Sequence, residues 1–192
     1  NATILLPILI GMAWISESFV ALLLGEKWLP AVQSLQIFLV SFIFISLTNP
    51  IAAINNAIGQ VKYQTLIRAV LAVFLIIALV KLTPYGIEYS ASSVLVYNLL
   101  MFIGSYSLLN TRLNFGWFKL VETLVPPLMM VSSMVLVLYI IGYYIELDSM
   151  ALLMLIDVVV GGVFYALLLL MLPIRKLSFL RNRILRRIGF TS

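Results

Sequence analysis

Six stretches of this chain are continuous runs of about twenty predominantly apolar residues, and this pattern limits the fold more than any other feature. They cover residues 4–24, 31–54, 65–82, 91–109, 120–143 and 150–172. A helix of about 20 residues crosses the roughly 30 Å hydrocarbon core of a bilayer. Runs this long predict helices, because the strands of a membrane barrel would read as shorter segments of alternating hydrophobicity. Composition agrees: the chain is 64% hydrophobic, and 12 basic and 7 acidic side chains cannot furnish the polar surface of a soluble domain of 192 residues. The expected fold class is all-α, an integral membrane bundle of six transmembrane helices over residues 1–173. An interfacial basic C-terminal helix is expected over residues 174–192.

What is absent narrows the chemistry. The chain has no Cys and no His, so disulfides, thiolate nucleophiles, imidazole acid–base steps and His metal ligation are excluded. No phosphate-binding loop, metal-ligand set or nucleophile elbow occurs in it. The chain is therefore expected not to be an enzyme, and no cofactor is expected beyond proton or sodium coupling. The first apolar run lacks a basic leader and is interrupted by Glu17, so it does not read as a signal peptide. Starting at Asn1 with an apolar run three residues on, the chain reads as a portion of a longer polypeptide.

Charge predicts orientation. The connections 25–30, 59–64, 83–90, 110–119 and 144–149 are short, so successive helices are expected to lie antiparallel and adjacent. The tail carries Arg175, Lys176, Arg181, Arg183, Arg186 and Arg187, which the positive-inside rule places in the cytoplasm. Alternation then puts Lys62, Arg68, Arg112 and Lys119 on the same side, ten of the twelve basic residues in all. Glu26, Lys27, Glu88, Glu146 and Asp148 fall outside, with Lys81 at an edge. The expected location is the plasma (inner) membrane, multi-pass, with both termini of this segment cytoplasmic. Single cysteines replacing Ser149 and Thr191 are expected to react with an impermeant thiol reagent from opposite sides. Labelling from one side only would contradict this topology.

In the tail, Leu177, Leu180, Ile184 and Ile188 recur at i, i+3, i+7 and i+11, with most basic residues elsewhere and Phe179 on the wrong side. That pattern predicts an imperfect amphipathic helix on anionic lipid and not a nucleic-acid surface.

One turn carries a stronger local signal. Leu24-Gly25-Glu26-Lys27-Trp28-Leu29-Pro30-Ala31 lies between the first two runs, with Leu35-Gln36 one turn later. Read from the residues, Gly25 ends a helix, Trp28 sits in the interfacial aromatic belt and Pro30 opens the next helix. The same residues, with Asn56-Ala57-Ile58-Gly59-Gln60 ahead of the third run, resemble the Wzx-like polysaccharide flippases. These belong to the superfamily of multidrug, oligosaccharidyl-lipid and polysaccharide exporters. The span pattern resembles theirs over the whole chain, and motif-level similarity covers about the first sixty residues. The resemblance implies that these are the last six spans of a two-lobed transporter, whose N-terminal lobe would be a partner within the same chain. It implies flipping of a lipid-linked oligosaccharide or polysaccharide precursor to the outer leaflet by alternating access. A multidrug or cation antiporter of the same superfamily is the alternative, followed by a membrane enzyme of glycan assembly.

Several polar residues fall inside the apolar runs, where they are costly unless paired or wet. Glu17 and Asp157 each lie seven residues from the outer end of their run, about 10 Å deep at 1.5 Å per residue. Ala13 and Ala21 flank Glu17 on its helix face, and Met154 and Gly161 flank Asp157. Small neighbours point to a helix contact or a cavity. Each carboxylate reads either as a cavity or ion-coupling group or as a hydrogen-bonded packing residue. Ser46, Thr48, Asn49, Asn55 and Asn56 cluster around Pro50. They read as a kinked, pathway-lining helix whose amides meet sugar hydroxyls, or as a kinked helix with a wet end. Pro126-Pro127 invites the same pair of readings. Arg68 either contacts the pyrophosphate of a lipid-linked substrate or snorkels to the headgroups.

Overall fold

The computed structural model describes residues 2–114, 116–144 and 149–171. The expected basic helix of 174–192 lies outside the described residues, as do Glu146 and Asp148. Six α-helices follow one another: α1 (Ala2–Leu23), α2 (Val32–Ala57), α3 (Val61–Leu82), α4 (Ile87–Leu113), α5 (Gly116–Tyr144) and α6 (Met150–Met171). Short 3-10 turns, Glu26–Ala31 and Thr83–Tyr85, join α1 to α2 and α3 to α4. The described residues contain no strand. All six helices are long and apolar enough to cross a membrane, so the chain has the fold of a multi-pass membrane protein.

The turns are tighter than the apolar runs imply, because polar residues at the run ends remain helical. α4 takes in residues on both sides of its run, and α5 starts at Gly116. Between them the Gly116 N–H donates to Asn110 Oδ1 at 2.8 Å, and the Tyr106 hydroxyl donates to the Gly116 carbonyl at 2.7 Å. The α2–α3 turn is closed by Gly59 at φ 80°. There the Gln60 N–H donates to the Asn55 carbonyl at 2.9 Å and the Gly59 N–H to the Asn56 carbonyl at 3.1 Å. This pair of bonds is a Schellman cap, which needs a left-handed residue and so favours glycine. Pro30 lies inside the 3-10 turn and α2 begins at Val32, so Pro30 does not open the helix as the sequence predicted. α2 and α5 continue through Pro50 and through Pro126 and Pro127.

Side-chain distribution is inverted relative to a soluble bundle. Large apolar residues face outward, with Phe74 64% and Val80 71% exposed on α3, whereas Ser34, Ser41, Thr48, Asn55, Asn98 and Ser105 are buried between helices. Apolar solvent gives Leu and Phe no reason to turn inward, and small or polar side chains hold the helices to one another.

The tightest association is between α2 and α4. Asn98 Nδ2 donates to Ser41 Oγ at 2.7 Å, and further along both helices Asn55 Nδ2 donates to the Ser105 carbonyl at 2.9 Å. Both residue numbers rise together, so the two helices run parallel. Ser34, Ser41, Thr48 and Asn55 recur at every seventh residue of α2, and Ala91, Asn98 and Ser105 do so on α4. A seven-residue repeat keeps one stripe of each helix against its neighbour. α3 packs on α4, α1 packs on α2, and α5 and α6 pack on α1. The expectation that successive helices are neighbours is therefore corrected for α4 and α5, which diverge after their turn, and for α2 and α3, which touch only near theirs. A short connection sets the direction of the next helix but not its lateral partner. The small-residue seam between α2 and α4 decides that.

α5 and α6 are held to α1 by an apolar cluster of Leu6, Met130, Val131, Met134 and Tyr165. The Tyr165 hydroxyl donates to the Thr3 carbonyl, which sets the end of α6 beside the start of α1.

Candidate functional site

Two features place polar groups at membrane depth on surfaces that the six helices leave open. The first is a cavity of about 540 Å³ between α1, α5 and α6, touched by Leu39 of α2. Gly11 and Met12 of α1, Met134 and Leu138 of α5, and Gly161 and Gly162 of α6 form much of its wall. Gly161 permits this shape: a Cβ there would stand 3.4 Å from Leu138 Cδ1, so the helices meet closely beside the cavity. Among its lining residues Asp157 is the only charged one. Asp157 is partly buried, and the Trp14 side chain is its hydrogen-bond partner. An indole nitrogen only donates, so the bond runs from Trp14 to the carboxylate. Asp157 lies seven residues into α6, about 10 Å along its axis.

The second feature is an open face on α1 and α2. Asn49 lines a groove of about 310 Å³ with Ser46 and Pro50 of α2 and Leu5 and Leu9 of α1. Asn56 lies seven residues further along the same helix stripe and is exposed. On α1, Leu6, Ile10 and Glu17 share a stripe at i, i+4 and i+11. Leu6 and Ile10 are packed in the cluster with α5 and α6, whereas Glu17 is exposed. The stripe is thus covered in one half of the helix and open in the other.

The structure separates residues that the sequence grouped. Glu17 does not line the cavity of Asp157, and its flanking Ala13 and Ala21 do not bury it. Asn55 is fully buried, and its amide is held in the α2–α4 seam and so faces no pathway. Its Nδ2 also donates to Gln64 Oε1 at 3.1 Å, and Gln64 Nε2 donates to Ser105 Oγ at 2.8 Å. Arg68, one turn beyond Gln64 on α3, is exposed. In the α1–α2 turn Gly25 has φ 88°, the Trp28 N–H donates to the Gly25 carbonyl at 3.0 Å, and Glu26, Lys27, Trp28 and Pro30 are exposed. That geometry is a tight turn with its tryptophan outermost.

Sequence reasoning missed three participants. Trp14 gave no sign of pairing with Asp157, since the two are 143 positions apart. Gln60 and Arg112 join the polar network at the base of α4: with its amide turned to suit both neighbours, Gln60 accepts from Arg112 Nε at 2.9 Å and donates to the Leu108 carbonyl at 3.3 Å. The network of Asn55, Gln64 and Ser105 was also missed, although the seven-residue spacing on α2 and α4 announced it.

No protein-family model, no curated protein and no solved structure matches this chain.

Proposed function

We propose that the chain is the C-terminal part of a transporter that moves a lipid-linked oligosaccharide or polysaccharide precursor to the outer leaflet of the plasma (inner) membrane. One observation carries this reading. Glu17 and Asn49 are exposed within helices that are otherwise fit for hydrocarbon, and Asn56 is exposed in the last turn of α2. Hydrocarbon does not solvate a carboxylate or an amide, so such a face calls for water or a polar ligand. Amides offer both donors and acceptors to sugar hydroxyls. The resemblance of the Gly25–Ala31 turn to Wzx-like flippases supplies the substrate class.

In this reading the α2–α4 seam is the rigid element, and the open face of α1 and α2 forms one wall of a cavity completed by an N-terminal lobe. The glycan headgroup rests on that wall while its lipid tail stays in the bilayer, and the two lobes rock to expose the wall to each side in turn. Glu17 or Asp157 would couple the cycle to protons or sodium. Arg68 is exposed seven residues into α3, in the half of the helix nearer Lys62, and would meet a pyrophosphate from the side that the charge pattern assigns to the cytoplasm. No bond is made or broken, so no enzymatic step is assigned.

The test is flux of a fluorescent lipid-linked oligosaccharide in proteoliposomes made with the product of the complete reading frame. Glu17→Gln with Asn49→Ala is expected to lower the initial rate several-fold, about the loss that one or two polar contacts worth 1 kcal/mol each would give. Phe74→Leu, on the outer face of α3, is expected to leave it unchanged. Full flux in the double variant at full expression contradicts the reading.

A further inference from the structure

We propose that the cavity between α1, α5 and α6 binds a lipophilic cation, an apolar molecule carrying a single positive charge, with Asp157 as its counter-ion. The inference does not rest on the transport reading: the cavity meets the groove of Asn49 only at Leu9, and binding is measured without flux.

Size and lining come first. A volume of about 540 Å³ falls in the range of sites that enclose small molecules, and apart from Asp157 and the Tyr165 hydroxyl its walls are apolar. The hydroxyl is already committed to the Thr3 carbonyl. Charge comes second. No Lys or Arg lines the cavity, so an anion has no partner there, and a carboxylate about 10 Å from the helix end needs one. Trp14 gives it one hydrogen bond and leaves its other lone pairs free.

Chemistry then separates the possible cations. A bare metal ion of this charge class wants several oxygen ligands, and the walls supply one carboxylate. A neutral acyl chain would fill the space but leave the carboxylate uncompensated. The headgroup of a bilayer lipid stays at the surface and does not reach this depth. An organic cation with an apolar body satisfies both the walls and the charge. Access is lateral: at the cavity's margin Ile4, Ile8 and Val158 are 53%, 59% and 53% exposed, so its mouth is apolar and faces the side of the bundle. Amphiphilic cations concentrate in that layer of a bilayer.

The test uses two ions of one shape and opposite charge, tetraphenylphosphonium and tetraphenylborate. Their equilibrium binding is measured on the full chain in phosphatidylcholine nanodiscs, with empty nanodiscs subtracted. Tetraphenylphosphonium is expected to bind the unmodified protein and tetraphenylborate is not. Asp157→Asn is expected to weaken tetraphenylphosphonium about tenfold or more, the loss of one charge-assisted contact, and Asp157→Glu to retain most of it. Gly162→Leu keeps the carboxylate but puts a side chain where nothing stands within 4 Å of a Cβ, and is expected to abolish binding by filling the cavity. Equal binding of the two ions, or tetraphenylphosphonium binding unchanged in either Asp157→Asn or Gly162→Leu, would overturn the proposal. Should Asp157→Asn fail to fold, the charge comparison on the unmodified protein and Gly162→Leu decide it.

Discussion

Ala91→Leu is expected to destabilise the bundle by about 3 kcal/mol, measured by reversible unfolding in mixed micelles. Ala91 is 0% exposed and stands seven residues before Asn98 on the stripe of α4 that bonds Ser41 of α2. A leucine there adds three carbons to a contact that has no room for them. Overpacking of this kind costs about 1–3 kcal/mol. Here it also draws Asn98 away from Ser41 Oγ, and a lost interhelical bond of this type costs about 0.6–1.7 kcal/mol more. Two controls isolate the cause. Ala91→Ser, nearly the same size, is expected to stay within about 1 kcal/mol of the unmodified protein. Val96→Leu, on the outer face of α4 with 53% exposure, is expected to be neutral. A leucine at 91 tolerated without loss would mean that α2 and α4 do not meet as described.

Asn55→Leu is expected to cost about 2 kcal/mol, and Gln64→Leu a similar amount. The double variant is expected to cost less than the two together, with a coupling of about 1 kcal/mol. The physical reason is the direction of the bonds. Asn55 Nδ2 donates to Gln64 Oε1 and to the Ser105 carbonyl, and Gln64 Nε2 donates to Ser105 Oγ. Removing Asn55 alone strands the Gln64 oxygen at a site 3% exposed, which carries a desolvation penalty of about 1–3 kcal/mol. Removing both amides removes that penalty. Asn55 Oδ1 is itself buried with no partner among the described residues, so its loss offsets part of the first change. Simple additivity would mean that the two amides act independently and that the network does not hold the α2–α3 turn to α4.

Much of the architecture was legible before any coordinates. Hydropathy alone locates all six helices, because a bilayer demands length and apolarity of each one separately: α1 differs from its run by two residues at its start and one at its end, and α6 starts at the same residue as its run. Lateral order was harder. Loop length pointed to sequential neighbours, whereas the α2–α4 pairing is written in Ser34, Ser41, Thr48 and Asn55 against Ala91, Asn98 and Ser105. Read on α2 alone, Thr48 and Asn55 fall into a polar cluster around Pro50. Read as two matching seven-residue repeats, the residues of both helices give the parallel seam. The site divides in the same way. Asp157 and Gly161 mark a cavity wall in sequence and in structure, since a small residue one turn from a carboxylate leaves space beside it. Glu17 has the same local signature yet lies open, because α5 and α6 cover its stripe of α1 only as far as Ile10. Trp14 could not be assigned to Asp157 from spacing, because their meeting depends on α6 docking antiparallel on α1.

These arrangements join fold to function. A seam of small and hydrogen-bonded residues fixes α2 against α4, so the face carrying Asn49 and Asn56 keeps its shape while the surrounding lipid does not. α5 and α6 pack chiefly on α1, with Ile43 of α2 against their apolar cluster and the Tyr106–Gly116 bond tying the start of α5 to α4.

The most direct test of the central claim is the initial rate of lipid-linked oligosaccharide translocation in proteoliposomes containing the complete protein. The account predicts a rate well above protein-free vesicles that drops several-fold when Glu17 and Asn49 are replaced together. A rate equal to protein-free vesicles, with the protein folded and correctly oriented, would contradict it.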